Sequence, residues 1–177
     1  MAKSSWSLFI YQIPALPSTH RAYAWRKLKS LGALYLQNSI CLLPVANGMD
    51  EKLGELKEEI AKRGGNVQLF HINVQDQAEN DALVEKLRSH SSDEYEEFLE
   101  QCDNFHEELQ KERDARHLTF GELEENEAEL QRLKTWLPKI RARDFFKAPL
   151  GETSSTRLVE CEKDFRLFGK QVERSSI

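Results

Sequence analysis

Hydrophobic residues follow strand-like spacing in three stretches of the first half of the chain. Residues 6–13 (WSLFIYQI) are aromatic and aliphatic without helical periodicity and are followed by Pro14, which predicts a buried strand. Residues 33–45 contain two extended apolar runs around the turn formers at 37–39, which predicts a hairpin or a bulged strand pair. Residues 66–74 alternate apolar and polar positions. The pattern therefore predicts four strands.

Two helical segments separate these strands. In residues 18–31 the apolar side chains recur at three- and four-residue spacing, and the initial Ser-Thr pair is suited to capping the helix. This spacing puts Trp25 on the apolar stripe, so we expect Trp25 in the core, where replacing it with Ala costs about 3–5 kcal/mol. The second helix follows Asp50, which we expect to cap it, and stops at Gly64-Gly65. The order β-α-β-β-α-β predicts a ferredoxin-like domain, in which one antiparallel sheet has both helices on one face.

The second part of the chain has the three- and four-residue apolar spacing of amphipathic helices in an acidic background. Residues 89–93 (SHSSD) interrupt it and predict a break between two helices. Residues 119–122 (TFGE) match a capping box at the start of another helix. Residues 154–172 contain the last helix, which we expect to end near Gly169. The fold class is therefore α+β. We predict a ferredoxin-like domain at 1–76 and a long antiparallel helical hairpin with a C-terminal helix at 77–177.

Composition favours a cytoplasmic protein. Hydrophobic residues make up 40% of the 177 residues and charged residues 31%, and no apolar run approaches the roughly 20 residues needed to span a bilayer. The N-terminal sequence has no apolar segment followed by a cleavage site, so we expect no secretory signal and no membrane partner. The three cysteines, Cys41, Cys102 and Cys161, lack C-x-x-C spacing and predict neither a disulfide framework nor a zinc site.

Charge is unevenly distributed along the chain. Residues 1–49 contain five bases and no acid, residues 76–131 contain 19 acids and five bases, and residues 132–150 contain six bases and one acid. The net charge of −5 therefore conceals local positive regions. Because salt screens distant charges over roughly 8–10 Å, such a region attracts polyanions even on an acidic protein. Acidic faces on amphipathic helices are usually solvated surfaces.

The sequence lacks the residue patterns of common enzymes and cofactor sites. The five histidines are scattered without a nucleophile elbow, and no glycine-rich phosphate loop follows the first strand. Carboxylate-rich helices bind di-metal clusters through a repeated Glu-x-x-His motif, which is missing here. We therefore predict no catalytic residue, no metal site and no cofactor. The residues nearest to a metal set are His90, Glu94, Glu97, His106 and Glu107.

Basic residues in two stretches suit phosphate binding, which needs several cations on one surface. One group belongs to the helix at 18–31 and the other follows the helix that begins near 120. An alternative is that these residues solvate their helices and pair with Glu55, Glu58 or Glu59. The candidate nucleic-acid-binding residues are Arg21, Arg26, Lys27, Lys29, Arg141 and Arg143.

Three stretches of the chain resemble the N-terminal domain of ChrB, the regulator of bacterial chromate-resistance operons. They are LFIYQIPALPSTHRAYAWRKLKSLGALYLQNSICLLP, LKEEIAKRGGNVQLFHI and RDFFKAPL. The resemblance implies transcriptional control and DNA binding, with basic residues involved, and it points to Arg21, Arg26, Lys27 and Lys29. Regulators of that family continue into a chromate-resistance domain, so we expect chromate sensing to lie outside this chain.

The predicted sheet domain is also similar in outline to two other groups. These are the small nucleases of CRISPR adaptation and the C-terminal domain of phenylacetate repressors, which pair through their sheets as dimers. The nucleases hold a metal on an aspartate at the end of the first strand. Residues 11–13 here are Tyr-Gln-Ile, and an amide is a poor Mg²⁺ ligand beside a carboxylate.

These observations lead to one functional prediction and two alternatives. We predict a non-enzymatic DNA-binding and transcription-regulatory module of a ChrB-like chromate or stress-resistance system, acting as a homodimer on double-stranded DNA. The first alternative is a protein-interaction adaptor that uses the acidic helical hairpin to bind a basic partner. The second is a degenerate metal-dependent nuclease-like fold.

Overall fold

The computed structural model describes residues 5–175, and the chain divides into two compact units between Arg88 and Ser89. The division falls inside the third helix, and the boundary predicted at residue 76 stays a prediction about separately folding domains. The elements in chain order are β1 (Ser5–Gln12), α1 (Ser18–Ser30), β2 (Leu34–Gln37), β3 (Ile40–Pro44), α2 (Met49–Lys62), β4 (Asn66–Asn73), α3 (Gln77–Ala115), α4 (Phe120–Arg143) and α5 (Gly151–Ser175).

The first unit contains a four-stranded antiparallel sheet with the order β2-β3-β1-β4. Phe9 in β1 pairs with Cys41 in β3 and with Leu69 in β4, and Phe9 and Cys41 are fully buried. This central position explains why β1 is almost continuously apolar, whereas β4, an edge strand, alternates. The predicted strands and the α+β class are confirmed, and the more specific ferredoxin-like assignment stays a prediction.

Two helices contribute buried apolar faces to the first unit. In α1 only Ala24 and Leu28 are buried, whereas α2 buries four residues along one stripe. The turn from α2 into β4 passes close to other backbone at Gly65. A Cβ at Gly65 would lie 2.6 Å from Cγ2 of Ile60 and 2.7 Å from the carbonyl oxygen of Gln12. This close approach requires glycine.

The helix caps agree with the sequence in one of three places. Thr119 accepts a hydrogen bond of 3.2 Å from the Glu122 amide at the start of α4, which confirms the predicted capping box. The expected hydroxyl cap of α1 is wrong, because the N-cap is Pro17 and no side chain caps the helix. The cap of α2 is Gly48 in a left-handed conformation, and Asp50 already lies in the first turn.

The predicted break at residues 89–93 is wrong, because α3 is one helix from Gln77 to Ala115. The reason is a buried stripe that runs through this stretch. Ser91 and Tyr95 are buried four residues apart and lead into Phe98. Serine costs a helix interior only a few tenths of a kcal/mol, and burial of the following aromatic residues outweighs that cost.

In the second unit, residues from α3, α4 and α5 share one apolar core. The predicted end of the last helix near Gly169 is wrong, because α5 extends to Ser175 and buries Phe168 and Val172 on either side of that glycine. None of the helices in the described range is both long enough and apolar enough to cross a membrane. The fully buried core residues are Phe98, Cys102, Leu109, Leu133, Ile140, Cys161, Phe168 and Val172.

Candidate nucleic-acid interface

Helix α1 presents four exposed cations that are not neutralised. No acidic residue lies in the first turn of α1, and Lys27 and Lys29 lie in its last turn, where the helix dipole favours positive charge. Among residues 5–175, no carboxylate forms an ion pair with any of the four. Uncompensated positive charge of this kind attracts anionic polymers. The four residues are Arg21, Arg26, Lys27 and Lys29.

Of the three glutamates that could pair with these cations, Glu55, Glu58 and Glu59, the last is bound by neighbouring bases instead. Glu59 accepts hydrogen bonds from Arg63 at 2.6 Å and from Lys62 at 3.2 Å. The hydrogen bonds from Arg63 and Lys62 hold the pKa of Glu59 below its usual range. The alternative in which α1 pairs with α2 through Glu59 is therefore not what the structure shows.

Two cations lie near the aromatic ring of Tyr23 in α1. The guanidinium carbon of Arg63 lies 4.0 Å from the centroid of the Tyr23 ring, and Nζ of Lys27 lies 5.8 Å from the same centroid. Both distances are within the range of cation–π attraction. Tyr23 therefore holds Lys27 near Arg63, whose own charge is paired with Glu59.

Trp25 is exposed, so the prediction that it lies in the core is wrong. Half of its surface, 51%, is accessible to solvent, whereas Ala24 and Leu28 are fully buried. Residues 24 and 28 are four apart and define the buried stripe, and residue 25 is rotated about 100° away from it. Arg21 and Lys29 share that outer stripe with Trp25, because they lie four residues to either side of it.

This outer stripe of α1 forms one wall of an open groove of about 1030 Å³ in the first unit. Strand β2 and the turn that follows it form the other wall. We call it the α1 groove and define it by six of its lining residues: Arg21, Trp25, Lys29, Tyr35, Gln37 and Asn38.

The second wall of the α1 groove is held in place by backbone and side-chain contacts. Tyr35 and Tyr11 share a hydrogen bond of 3.0 Å between their hydroxyl groups, and the Tyr11 amide donates to the carbonyl of Ser39. Ser39 has a φ of 64°, and a β-bulge separates Tyr35 from Gln37. Bulges re-aim side chains at functional sites. Burial, followed by the Tyr11 hydrogen bond, raises the pKa of Tyr35, so this wall is uncharged.

The other two candidate bases lie in the second unit and already have partners. Arg143 forms a two-point ion pair with Glu94, and its side chain is only 19% exposed. Arg141 is exposed and donates to the hydroxyl of Ser155 and the carbonyl of Gly151. Their role in nucleic-acid binding stays a prediction, and the contacts around Arg143 give it a structural role.

The residues considered for a metal set are likewise separated. Glu94 is bound by Arg143, and His106 pairs with Asp164 at 2.8 Å. In the described part of the chain, no three His, Cys, Asp or Glu side chains are grouped as metal ligands.

The same contacts reveal a hydrogen-bonded chain that sequence reasoning missed. Nε2 of His106 lies 3.5 Å from Sγ of Cys161, and Nδ1 of His106 contacts Asp164, which is also bound by Arg113. Cys161 is fully buried, and its thiol donates to the backbone carbonyl of Cys102 at 3.9 Å. Its interaction with the Cys102 side chain, together with burial, raises the pKa of Cys161. A buried thiol of raised pKa is inert, so we assign this chain of contacts to packing.

Comparison with known families supports the resemblance noted above. The family model described as "Protein ChrB, N-terminal" matches residues 21–176. The chain belongs to the ChrB N-terminal family. Protein ChrB of Cupriavidus metallidurans is 31% identical over 87 residues. That match covers 48% of this chain and 27% of the relative, so the similarity extends over about a quarter of that ChrB protein. All of α1 from Arg21 onward lies inside the family match.

Sequence reasoning found the cations of the ChrB-type α1 and missed the groove beside them. The available signal was the spacing of Arg21 and Lys29, which lie four residues before and after Trp25. Cations at both positions mark that stripe as solvent-facing, since a charge is rarely buried without a partner. No comparable signal identified Tyr35 and Asn38, because their position opposite α1 depends on the packing of β2.

Proposed function

We propose that this chain is a nucleic-acid-binding module that contacts double-stranded DNA through α1 in a transcription-regulatory system of chromate resistance. The chromate association is supported by membership of the ChrB family. The DNA contact is supported by one structural observation, which is the row of exposed α1 cations without carboxylate partners. Such a module requires no catalytic residue.

The physical basis of the proposal is counterion release. Each phosphate that a Lys or Arg neutralises displaces condensed cations from DNA, so the logarithm of the binding constant falls with the logarithm of salt by about 0.9 per phosphate. Four α1 cations correspond to a slope of about −3 to −4. Arg63 is not counted in this slope, because it is ion-paired with Glu59.

We include self-association in the proposal, because a two-fold module places two copies of α1 on one duplex. Its support is Phe70, which lies on the edge strand β4 with 49% of its surface exposed. Sedimentation equilibrium of the full chain measures self-association, and Phe70→Ser should shift the equilibrium towards monomer. A wild-type chain that stays monomeric at tens of micromolar would remove this part of the proposal.

The DNA proposal is tested by fluorescence anisotropy with a labelled duplex from the region upstream of the protein's own gene, at 50–200 mM salt. We expect measurable binding at low salt, and Arg21→Ala, Arg26→Ala or Lys27→Ala should each lower the magnitude of the salt slope by about one. The matched control is Lys57→Ala, which removes an exposed lysine of α2 in the same unit and should leave the slope unchanged. Absence of binding at 50 mM salt would overturn the proposal.

A further inference from the structure

The α1 groove combines three kinds of group that recognise nucleotides. Arg21, Trp25 and Lys29 lie at four-residue spacing on α1, so a cation stands about one helical turn to either side of an exposed indole ring. Gln37 and Asn38 place two exposed amides on the opposite wall. Cations bind phosphates, aromatic rings stack on bases, and amides donate to and accept from base edges.

The indole ring of Trp25 is available for stacking. In residues 5–175, no other ring or cation contacts it and its Nε1 forms no hydrogen bond with the protein. The other two tryptophans differ. Trp6 is fully buried and donates to Asn80, and Trp136 packs edge-on against Phe98.

Lys29 is held at the groove by its contact with Tyr35. Its Nζ lies 5.7 Å from the centroid of the Tyr35 ring, and the Tyr35 hydroxyl is bound to Tyr11. A neutral tyrosine attracts the ammonium group without cancelling its charge. Lys29 therefore remains able to bind a phosphate in a fixed region of the groove.

Stacking on the exposed Trp25 ring would distinguish unpaired bases from paired ones. In a duplex, both faces of each base are covered by its neighbours, so Trp25 can stack on a base only when that base has left the stack. The volume of about 1030 Å³ is at the upper end of the roughly 300–1,000 Å³ of ligand pockets and has room for a nucleotide.

We propose that the α1 groove binds one unpaired nucleotide of a nucleic-acid strand, with its base stacked on Trp25, its phosphates on Arg21 and Lys29, and its base edge at Asn38. This inference rests on the proposed function, since it adds an unpaired nucleotide, bound in the groove, to the duplex that the same helix contacts. Arg26 lies on α1 outside the groove and contributes only general attraction to phosphates.

The experiment compares a labelled 12-nucleotide oligothymidine with a labelled 12-base-pair duplex, using the full chain at 100 mM salt. We expect the oligothymidine to quench the tryptophan emission and the Trp25→Phe variant to lose that quenching while keeping most of the affinity. Trp25→Ala should bind the single strand about 5- to 150-fold more weakly, which is the range for loss of one base–aromatic stack, and should bind the duplex unchanged.

Arg21→Ala and Arg26→Ala form the matched pair of charge variants. Both remove one positive charge from α1, so both should weaken duplex binding to a similar extent. Arg21→Ala should weaken single-strand binding several-fold more than Arg26→Ala, because only Arg21 lines the groove. Asn38→Ala should alter the preference among oligonucleotides of different base and leave duplex affinity unchanged.

The outcomes separate this inference from the proposed function. Duplex binding with no quenching by the single strand, or equal single-strand affinity of wild type and Trp25→Ala, overturns the groove inference and leaves the proposed function standing. Absence of binding to either probe overturns both. The tryptophan emission of the wild type could instead change with protein concentration alone and show no further change when oligothymidine is added. That result would assign Trp25 to self-association and would also overturn the groove inference.

Discussion

Glu94 holds the guanidinium group of Arg143 through both of its carboxylate oxygens. Nε of Arg143 lies 2.7 Å from Oε2, and Nη2 lies 2.5 Å from Oε1. Two-point contacts of this kind fix the plane of the guanidinium group as well as its distance from the carboxylate. The pair joins α3 to the end of α4 within the second unit, so a base that the sequence offered as a phosphate ligand serves to connect two helices.

The first prediction is that Arg143→Ala destabilises the protein without weakening DNA binding. The side chains of the pair are 19% and 34% exposed, so we expect the free energy of unfolding to fall by about 1–2 kcal/mol, less than for a fully buried pair. Urea denaturation measures this change. Lys139→Ala, at an exposed lysine of the same helix, should stay within about 0.5 kcal/mol of wild type. Weaker DNA binding at unchanged stability would contradict the prediction.

The second prediction is that Trp25→Ala has almost no effect on stability. Because Trp25 is 51% exposed and has no ring partner in the described part of the chain, we expect a change within about 0.5 kcal/mol. The comparison variant is Trp6→Ala, which removes a fully buried indole and should cost about 3–5 kcal/mol. Both are measured by urea denaturation. A loss of 2 kcal/mol or more for Trp25→Ala would place its ring in the core after all.

The third prediction concerns the continuity of α3. His90 is exposed in the middle of this helix, and proline there removes one backbone hydrogen bond and clashes with the preceding turn. His90→Pro should therefore cost about 3 kcal/mol, whereas His90→Ala should stay within about 0.5 kcal/mol. Amide hydrogen exchange gives a second measurement, because residues 89–93 should exchange as slowly as residues 95–102. Fast exchange confined to 89–93 would restore the predicted break.

The fourth prediction is a pH dependence that originates at Asp164. Burial alone would raise its pKa, but hydrogen bonds from Arg113 at 2.6 Å and His106 at 2.8 Å outweigh burial and hold the pKa below its usual range. The unfolded chain, with a carboxyl pKa of about 3.9, therefore binds the proton more readily. The stabilisation is fully present above that pH and is lost as the pH falls through the lower folded-state pKa.

Asp164→Asn tests this dependence by urea denaturation at pH 7, 5 and 3.5. The variant should be less stable than wild type by about 1–2 kcal/mol at pH 7. The difference should shrink at pH 3.5, because the unfolded wild-type chain then begins to take up the proton while the folded carboxylate keeps its charge. Asp103→Asn is the control, because Asp103 is 52% exposed in its pair with Arg157 and should cost less than about 1 kcal/mol. If the difference in the free energy of unfolding between Asp164→Asn and wild type stayed constant down to pH 3.5, the pH dependence would not originate at Asp164.

The spacing of apolar residues along the chain predicted the secondary structure correctly wherever one periodic face of an element packs against the core. The strands at β1 and β4 followed from apolar patterning, and Thr119 capped α4 because a capping box uses only residues within one turn. The predictions were wrong where contacts with residues distant in the sequence determine helix continuity or burial. The serines at 89–93 suggested a break, yet the core that buries Ser91 and Tyr95 keeps the helix intact. Similarly, α1 buries only Ala24 and Leu28, so its apolar stripe was narrower than the spacing indicated.

The sequence by itself determined the order of strands and helices, the concentration of bases without any acid in the first 49 residues and the likeness to the ChrB family. Each of these depends on residue type and local spacing. Only the tertiary structure decided which bases are free, since Arg143 meets Glu94 across 49 positions of sequence whereas the α1 cations have no carboxylate partner in the described residues. It also decided that Trp25 faces a groove. Ion pairing and exposure are set by the side chains that folding brings near, and the local pattern does not contain them.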